Sequence, residues 1–259
     1  MDIQQLKYYK ILLIGDSCED IYHFGKIKRL SPEAPVPIFA LQYSESHPGM
    51  TANVKENLCS LGVSVDLITN KEKLTKERYI DLNTKQHLLR VDTGEVNSLC
   101  PFEHSLVNID NLNEYDALVI SDYNKGFITS ESVEFLTNNF QGPIFVDSKK
   151  TDLSIFEQCF IKINEEEYKS VEKIPEECEL IVTLGSKGTQ WNKKIFSTKT
   201  VEVFDICGAG DTFFAAFICS YLINKKIENS IKFANKCATI TVQKLGTYAP
   251  TIGDIINDK

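Results

Sequence analysis

The chain has 259 residues, 42% of them hydrophobic and 25% charged, which is enough for one α/β domain with a substantial core. Its formal net charge of −8 argues against nucleic acid or an anionic membrane as the main partner, although a local pocket of N–H groups and cations can still bind a small anionic substrate. The eight cysteines never stand at C-x₂₋₄-C spacing and the four histidines are scattered, which argues against a zinc site and indicates reduced thiols.

Short apolar runs recur along the chain and predict strands. Most of them are continuous rather than alternating, which suits strands buried on both faces of a parallel sheet. They lie at residues 11–15, 64–69, 116–121, 143–147, 159–164 and 179–185. The segments between them that can form helices are 52–62, 130–140 and 164–173. This alternation predicts a doubly wound α/β fold, which binds its ligands beyond the carboxyl ends of the strands.

Two stretches interrupt the alternation. Residues 26–47 carry three prolines and then a short β-like run, which favours an edge strand or an extended arm. Residues 77–92 have the pattern of a hairpin that turns near Asn83. Together they predict a small β appendage over the edge of the sheet, within a single domain that spans residues 1–259.

A Gly-Ala-Gly-Asp sequence at residues 208–211 stands between a β-rich run and the apolar run 213–223. Its glycines would let consecutive backbone N–H groups converge at a helix N-terminus, a common phosphate-binding arrangement. A carboxylate beside a bound anion is electrostatically unfavourable, so Asp211 is expected to have a function there. One such function is to accept the proton of a hydroxyl that attacks a phosphoryl group. The alternative is that Asp211 caps the helix and the glycines form a tight turn, and these four residues alone leave both open. The chain contains no Walker A sequence.

The apolar run 213–223 is too short for a membrane span, which takes about 20 helical residues. Residues 1–10 lack the apolar segment of a secretory signal. We therefore predict a cytoplasmic protein that has neither a membrane nor a nucleic acid as its partner.

The segment DICGAGDTFFAAF at residues 205–217 resembles the C-terminal D-x-x-G-A-G-D-T/S-F motif of the ribokinase-like (PfkB) carbohydrate kinases. Four more motifs of that family have counterparts in the same order: ILLIGDSCEDIYHFG (11–25), HPGMTANVKENLCSLG (47–62), NEEE (164–167) and VTLGSKG (182–188). The resemblance implies a ribokinase-like, mostly parallel sheet flanked by helices, with a small β lid formed by about 26–47 and 77–92. It also implies an enzyme that uses ATP and Mg²⁺ to phosphorylate a sugar hydroxyl.

A narrower resemblance concerns the acceptor. Five segments are similar to the subgroup that phosphorylates D-glycero-D-manno-heptose 7-phosphate at O1, the kinase part of bifunctional heptose kinase/adenylyltransferases. They are RLSPEAPVPIF (29–39), HLLRVD (87–92), SDYNKG (121–126), VDSKK (146–150) and QKLGT (243–247). The resemblance implies a role in heptose synthesis for surface polysaccharides such as lipopolysaccharide. Another sugar, sugar phosphate or nucleoside as acceptor stays open, and so does a catalytically silent regulator that binds a sugar or a nucleotide.

The family's motifs imply a role for each matching residue on the acceptor side. Asp211 would be the catalytic base, and Gly208, Ala209 and Gly210 would form the anion hole. The sugar would be bound by Asp16, Asp20, Gly49 and Asn53. The cations near a sugar phosphate or the γ-phosphate would be Arg90 and Lys149, with Lys125 and Arg29 in reserve. For each cation, a solvated surface charge is the alternative.

On the nucleotide side, Asn164 and Glu167 would hold Mg²⁺ through water. The phosphates and ribose would lie against Thr183, Gly185 and Gly188, and the adenine near Asn235. The alternatives are an ordinary helix N-terminus at 164–167 and a plain hairpin turn at 184–188.

The chain departs from the family pattern at three places. Met50 replaces the second glycine of the glycine-rich segment, residues 69–76 are short where a strand and a helix are usual, and Cys207 stands where threonine is common. These departures leave the acceptor specificity open. The lid also predicts a homodimer, because related kinases often pair through it and an exposed β edge is a natural pairing surface.

Overall fold

A computed structural model describes residues 3–94 and 99–257. Its strands are β1 (Lys10–Gly15), β2 (Ser17–Leu30), β3 (Pro37–Met50), β4 (Ser64–Thr69), β5 (Thr75–Asp81), β6 (His87–Thr93), β7 (Ala117–Asp122), β8 (Ile144–Ser148), β9 (Phe160–Asn164), β10 (Glu179–Thr183), β11 (Thr189–Trp191) and β12 (Lys194–Phe196). Its helices are α1 (Thr51–Ser60), α2 (Ile109–Leu112), α3 (Ser130–Asn139), α4 (Glu165–Ser170), α5 (Ala209–Asn224), α6 (Ile227–Thr241) and α7 (Ile252–Asn257). Short 3₁₀ turns lie at Ile3–Tyr8, His104–Leu106 and Gly185–Lys187.

The main sheet has the strand order β12-β11-β10-β9-β8-β7-β1-β4. Its strands β4, β1, β7, β8, β9 and β10 are all parallel, and these are the six strands predicted from the apolar runs. Only the β11–β12 hairpin at one edge is antiparallel. Because the carboxyl ends of the parallel strands share one edge of the sheet, the residues that follow them come together there.

Helices cover both faces of this sheet. One core cluster joins the strands to α1, α5 and α6, and the other joins them to α3. Helix α5 is apolar on every side, with Phe213, Phe214 and Phe217 almost completely buried, because it lies between the sheet and α6. In the part of the chain described here, no helix combines the length and apolarity of a membrane span.

The lid is a second sheet with the strand order β3-β2-β5-β6. Its first half is larger than predicted, since β2 and β3 have 14 residues each and span Ser17–Met50 rather than 26–47. The predicted length was too short, because Pro32 and Pro35 lie in the turn between two long strands. Pro37 begins β3, which is an edge strand as the prolines indicated.

The second half of the lid confirms the predicted hairpin. Strands β5 and β6 pair antiparallel and are connected by residues 82–86. The Asp81 carboxylate accepts the Thr84 backbone N–H at 2.9 Å and its hydroxyl at 3.0 Å, and Lys85 adopts a φ of 60°. This side-chain-closed turn fixes the register of the hairpin.

The short segment after β4 leads directly into the lid. Asn70 accepts the Ser17 N–H at 2.7 Å and donates to the Ser17 carbonyl at 3.2 Å, so it joins this connection to the start of β2. Met50, in the usual glycine position, has a φ of 57° and ψ of −128°. Its side chain is buried in the core, which holds this residue in a conformation that costs on the order of 1–3 kcal/mol.

Candidate active site

Helix α5 begins in a glycine turn beside the carboxyl ends of the strands. Gly208 has a φ of 76°, and a Cβ there would lie 3.0 Å from Nδ2 of Asn53, so both conformation and space favour glycine. Asp205 holds the turn, because its carboxylate accepts the N–H groups of Cys207 at 2.9 Å and Gly246 at 3.0 Å. The first N–H groups of a helix have no carbonyl partner within it, so this turn can bind an anion.

Asp211 lies in the first turn of α5 and is only 9% exposed. Its Oδ2 accepts Nδ2 of Asn53 at 2.6 Å, and its Oδ1 accepts the hydroxyl of Tyr123 at 3.0 Å. Burial raises the pKa of Asp211 to about 6. The position before the helix belongs to Gly208, so the alternative in which Asp211 is only a helix cap does not hold. A carboxylate held by two donors and largely ionised near neutral pH suits a general base.

Lys162 was missed in the sequence. It is a buried lysine on β9, and its Nζ lies 2.7 Å from Oδ2 of Asp147 on β8. A Cβ on Gly210 would lie 3.1 Å from this Nζ, so the ammonium group sits against the glycine turn. Burial acts to lower the pKa of Lys162, but the neighbouring carboxylate of Asp147 holds the pKa above its usual value. The sequence feature that could have indicated Lys162 is that it is the one charged residue inside the apolar run 159–164.

Asp16 follows β1 and is completely buried. Its Oδ2 accepts the backbone N–H of Tyr123 at 2.6 Å, while its Oδ1 has no hydrogen-bond partner among the described residues. Burial and the nearby Asp122 carboxylate raise the pKa of Asp16 to about 6. A buried acceptor with one unused oxygen fits a ligand hydroxyl, as the sequence predicted for this residue.

Asp20 lies on the lid strand β2 and is buried. Its carboxylate forms an ion pair with Arg78 on β5, a residue for which the sequence motifs predict no role. Gly49 leaves room for this carboxylate, since a Cβ there would lie 2.4 Å from Oδ2 of Asp20. The guanidinium of Arg78 also lies 5.2 Å from the ring centroid of Tyr22, whose buried hydroxyl has no partner in residues 3–94 or 99–257.

The four predicted cations lie in different surroundings. Lys149 follows β8 and places its Nζ 4.4 Å from the ring centroid of Tyr123. Arg90 lies on the lid strand β6, is 57% exposed and pairs with Asp92 at 2.9 Å. Lys125 accepts the N–H of Leu99 through its carbonyl, and Arg29 is exposed near the end of β2. Lys149 is connected to Asp211 through Tyr123, whose hydroxyl donates to the Asp211 carboxylate.

Asn164 and Glu167 form a capping box at the start of α4. Oδ1 of Asn164 accepts the Glu167 N–H at 2.8 Å, and Oε2 of Glu167 accepts the Asn164 N–H at 2.8 Å. The ordinary helix start considered as an alternative is therefore present. Glu167 also contributes to the raised pKa of Lys162, so its carboxylate belongs to the charges of the site. Because the cap uses Oε2, the other oxygen of Glu167 suits a water ligand of Mg²⁺, which fits an indirectly held metal.

The β10–β11 hairpin lies beside this capping box. Thr183 stands opposite Asn164 in the parallel register. Gly185 and Gly188 have φ values of 57° and 95°, and a Cβ on Gly188 would lie 2.0 Å from the carbonyl oxygen of Phe196. These glycines therefore form the hairpin turn considered as an alternative, and their contact with a nucleotide stays a prediction.

Asn235 on α6 holds the same hairpin. Its Oδ1 accepts the hydroxyl of Thr189 at 2.7 Å and its Nδ2 donates to the carbonyl of Phe196 at 2.9 Å. It also lines a cavity of about 290 Å³. The other lining residues are Ser197, Thr198, Lys199, Lys232, Lys236 and Thr239. The predicted adenine contact of Asn235 would lie in this cavity.

Two curated proteins illustrate the sequence similarity of this chain to known proteins. The bifunctional protein HldE of Haemophilus influenzae is 32% identical over 304 aligned residues, covering 98% of this chain and 64% of that protein. The bifunctional protein HldE of Nitratiruptor is 30% identical over 299 residues, covering 95% of this chain and 64% of that protein. The chain thus spans slightly less than two thirds of the length of these relatives.

Solved structures resemble the whole chain. A ribokinase from Thermotoga maritima superposes with a TM-score of 0.73 at 19% identity, covering 96% of this chain and 98% of its own. Phosphofructokinase-2 from Escherichia coli superposes with a TM-score of 0.73 at 14% identity, covering 96% of this chain and 97% of its own. At these identities the likeness concerns the fold, and it confirms the predicted ribokinase-like architecture. Residues 150–252 also match the family model described as "pfkB family carbohydrate kinase". The chain therefore has the ribokinase-like fold, and its residues 150–252 match the pfkB family of carbohydrate kinases.

Proposed function

We propose that this chain is an enzyme that transfers the γ-phosphoryl group of ATP to a sugar hydroxyl. The observation that carries the proposal is the placement of Asp211, which is buried, held by Asn53 and Tyr123, and adjacent to a helix start that can bind an anion. Phosphoryl transfer asks a protein mainly for positioning and for stabilisation of negative charge, and this arrangement offers both.

Each part of the site has a task in this reaction. The N–H groups of Gly208–Gly210, at the start of α5, would bind the migrating phosphoryl group, and Lys162, which lies against this turn, would neutralise its charge. Asp211 would accept the proton of the attacking hydroxyl, while Asp16 would orient the sugar through its unused oxygen. Mg²⁺, held through water by Asn164 and Glu167, would neutralise the nucleotide phosphates.

We propose O1 of D-glycero-D-manno-heptose 7-phosphate as the acceptor, in the synthesis of heptose for surface polysaccharide. The five subgroup-like segments and the 32% identity to HldE support this choice. A kinase for another sugar, sugar phosphate or nucleoside is the nearest alternative. A silent sugar- or nucleotide-binding regulator is favoured by Met50 and the short connection after β4, and opposed by the intact Asp211 geometry.

An acceptor panel tests the proposal. Purified protein is assayed with Mg·ATP and heptose 7-phosphate, ribose, fructose 6-phosphate or adenosine, and phosphorylation of heptose 7-phosphate is expected to dominate. Asp211→Asn should lower kcat by about 10²- to 10⁴-fold and leave ATP affinity unchanged. Asp152→Asn, the same change at a surface ion pair, should keep full activity. Equal turnover by Asp211→Asn and the parent would refute the base, and no turnover by either would favour the regulator.

The remaining expectations stay predictions. We propose that residues 1–259 form a single kinase domain that acts in the cytoplasm. Residues 1–2, 95–98 and 258–259 of this domain lie outside the described part. A homodimer through the lid is supported by Leu89 and Val91, which project from one face of the edge strand β6 and are 58% and 40% exposed. Sedimentation of the parent and of Leu89→Glu tests it, because a monomeric mass for the parent would exclude the dimer.

A further inference from the structure

Two lysines approach the ring that touches the proposed base. Nζ of Lys149 lies 4.4 Å and Nζ of Lys76 lies 5.4 Å from the ring centroid of Tyr123. The hydroxyl of the same tyrosine donates to Oδ1 of Asp211 at 3.0 Å. Both ammonium groups are therefore separated from the proposed base by a single side chain. Lys76 was not identified from the sequence.

Neither lysine is neutralised by a carboxylate within residues 3–94 and 99–257. Lys76 stands between Asp20 and Asp92 in the register of the lid sheet, but these acids form ion pairs with arginines. The pairs are Asp20 with Arg78 and Asp92 with Arg90. A ring face compensates only part of the charge of an ammonium group. Each of the two ammonium groups can therefore still form a charge-assisted hydrogen bond with an anion that binds beside Tyr123.

The position of the lysines in the fold indicates which anion this is. Lys76 lies on β5, which follows β4 at one edge of the main sheet, whereas the β11–β12 hairpin forms the opposite edge. Lys162 already lies against the glycine turn that would bind the transferred phosphoryl group. A second cationic site on the lid side therefore suits the acceptor rather than the nucleotide.

We propose that Lys76 and Lys149 bind the phosphate group carried by the acceptor and make the site selective for a sugar phosphate over the corresponding free sugar. This inference rests on the proposed kinase function and adds the residues that determine its acceptor class. One phosphate would join the lid, through Lys76, to the main sheet, through Lys149, beside Tyr123.

Binding measurements on variants test the inference. Lys76→Met and Lys149→Met are compared with the parent by titration calorimetry against D-glycero-D-manno-heptose 7-phosphate and against unphosphorylated D-glycero-D-manno-heptose. Each substitution should weaken binding of the phosphorylated sugar by about 10- to 100-fold and binding of the free sugar by less than about 3-fold. The control is Lys73→Met, which removes an exposed lysine that pairs with Glu19 next to the lid. It should change the binding of neither sugar. Thermal unfolding of each variant verifies that it is folded.

Other outcomes would overturn the inference. Equal weakening for both sugars would show that the lysines do not recognise phosphate. Weaker binding of a non-hydrolysable ATP analogue by the variants, measured without sugar, would assign the lysines to the nucleotide. Failure of the proposed function has a different signature, in which the parent phosphorylates no acceptor in the panel even though the two sugars and the variants differ in binding as expected.

Discussion

The ionisation of Asp211 reflects opposing influences of its neighbours. Burial raises its pKa to about 6, and the hydrogen bonds from Asn53 and Tyr123 act against that rise. The hydroxyl of Tyr123 stays protonated, because burial and the Asp211 carboxylate raise the pKa of this phenol well above its usual value. Tyr123 therefore remains a hydrogen-bond donor to Asp211 at every pH near neutrality, which favours the ionised form of the base.

This balance predicts the acid limb of the pH–rate profile. Because the base acts in its ionised form, kcat/KM should rise with pH up to about pH 6 and then level off. Tyr123→Phe removes a bond that lowers the pKa of Asp211, so the limb should move to higher pH by about one unit. Tyr115→Phe, which removes a comparable bond to Asp66 away from the site, is the matched control. An unmoved limb in Tyr123→Phe would contradict this role.

The sequence was sufficient for some site residues and not for others. Asp211, Gly208 and Asn53 stand in motifs whose chemistry can be read locally, and the structure brings them together. The roles of Lys162 and Arg78 depend on contacts across strands that are distant in sequence, with Asp147 and Asp20. Such pairings follow from sheet order and register, which a single sequence does not supply.

At the scale of elements, strands β8 and β9 carry a buried ion pair into the site. Asp147 and Lys162 are direct neighbours in the parallel register and are both almost fully buried. Lys162→Met leaves the Asp147 carboxylate buried without its partner, which should lower the free energy of unfolding by about 3–5 kcal/mol. Lys162→Met combined with Asp147→Val should recover most of that stability but not kcat, as measured by urea unfolding and steady-state kinetics. Recovery of activity in the double variant would show that the pair is only structural.

The start of α4 combines a helix cap with a proposed metal function, and one substitution separates them. Glu167→Gln keeps a side chain that can complete a capping box, so the free energy of unfolding should change little. It removes the charge near the proposed Mg²⁺, so the Mg²⁺ concentration for half-maximal activity should rise by about 10-fold. The exposed neighbour change Glu166→Gln is the control. An unchanged Mg²⁺ dependence in Glu167→Gln would mean that Glu167 caps the helix and has no role in metal binding.

Element types were predicted better than element lengths. The six parallel strands were recognisable because continuous apolar runs are typical of strands buried on both faces. The lid strands β2 and β3 were underestimated, because much of β3 is exposed and its residues show no buried face in the sequence. Their length follows from the pairing of β2 with β3 and of β2 with β5, which is a tertiary property.

At the scale of the whole molecule, the site imposes a cost on stability. Asp16 and Asp211 are both buried, and burial raises the pKa of each to about 6 from an unfolded value near 3.8. The folded state therefore binds the proton more tightly than the unfolded state at both positions. The stability contributed by their protonation is complete below about pH 3.8 and is lost as the pH rises through about 6.

Asp16→Asn should remove one half of this pH dependence. The variant has no carboxyl group to ionise at residue 16, so its free energy of unfolding relative to the parent should increase by about 1–3 kcal/mol between pH 4.5 and pH 8. Asp152→Asn is the control, because Lys173 and Ser154 lower the pKa of Asp152 to about 2 and its contribution is constant over that range. Urea unfolding at the two pH values gives both differences. A difference for Asp16→Asn that does not change with pH would mean that the folded protein does not raise the pKa of Asp16.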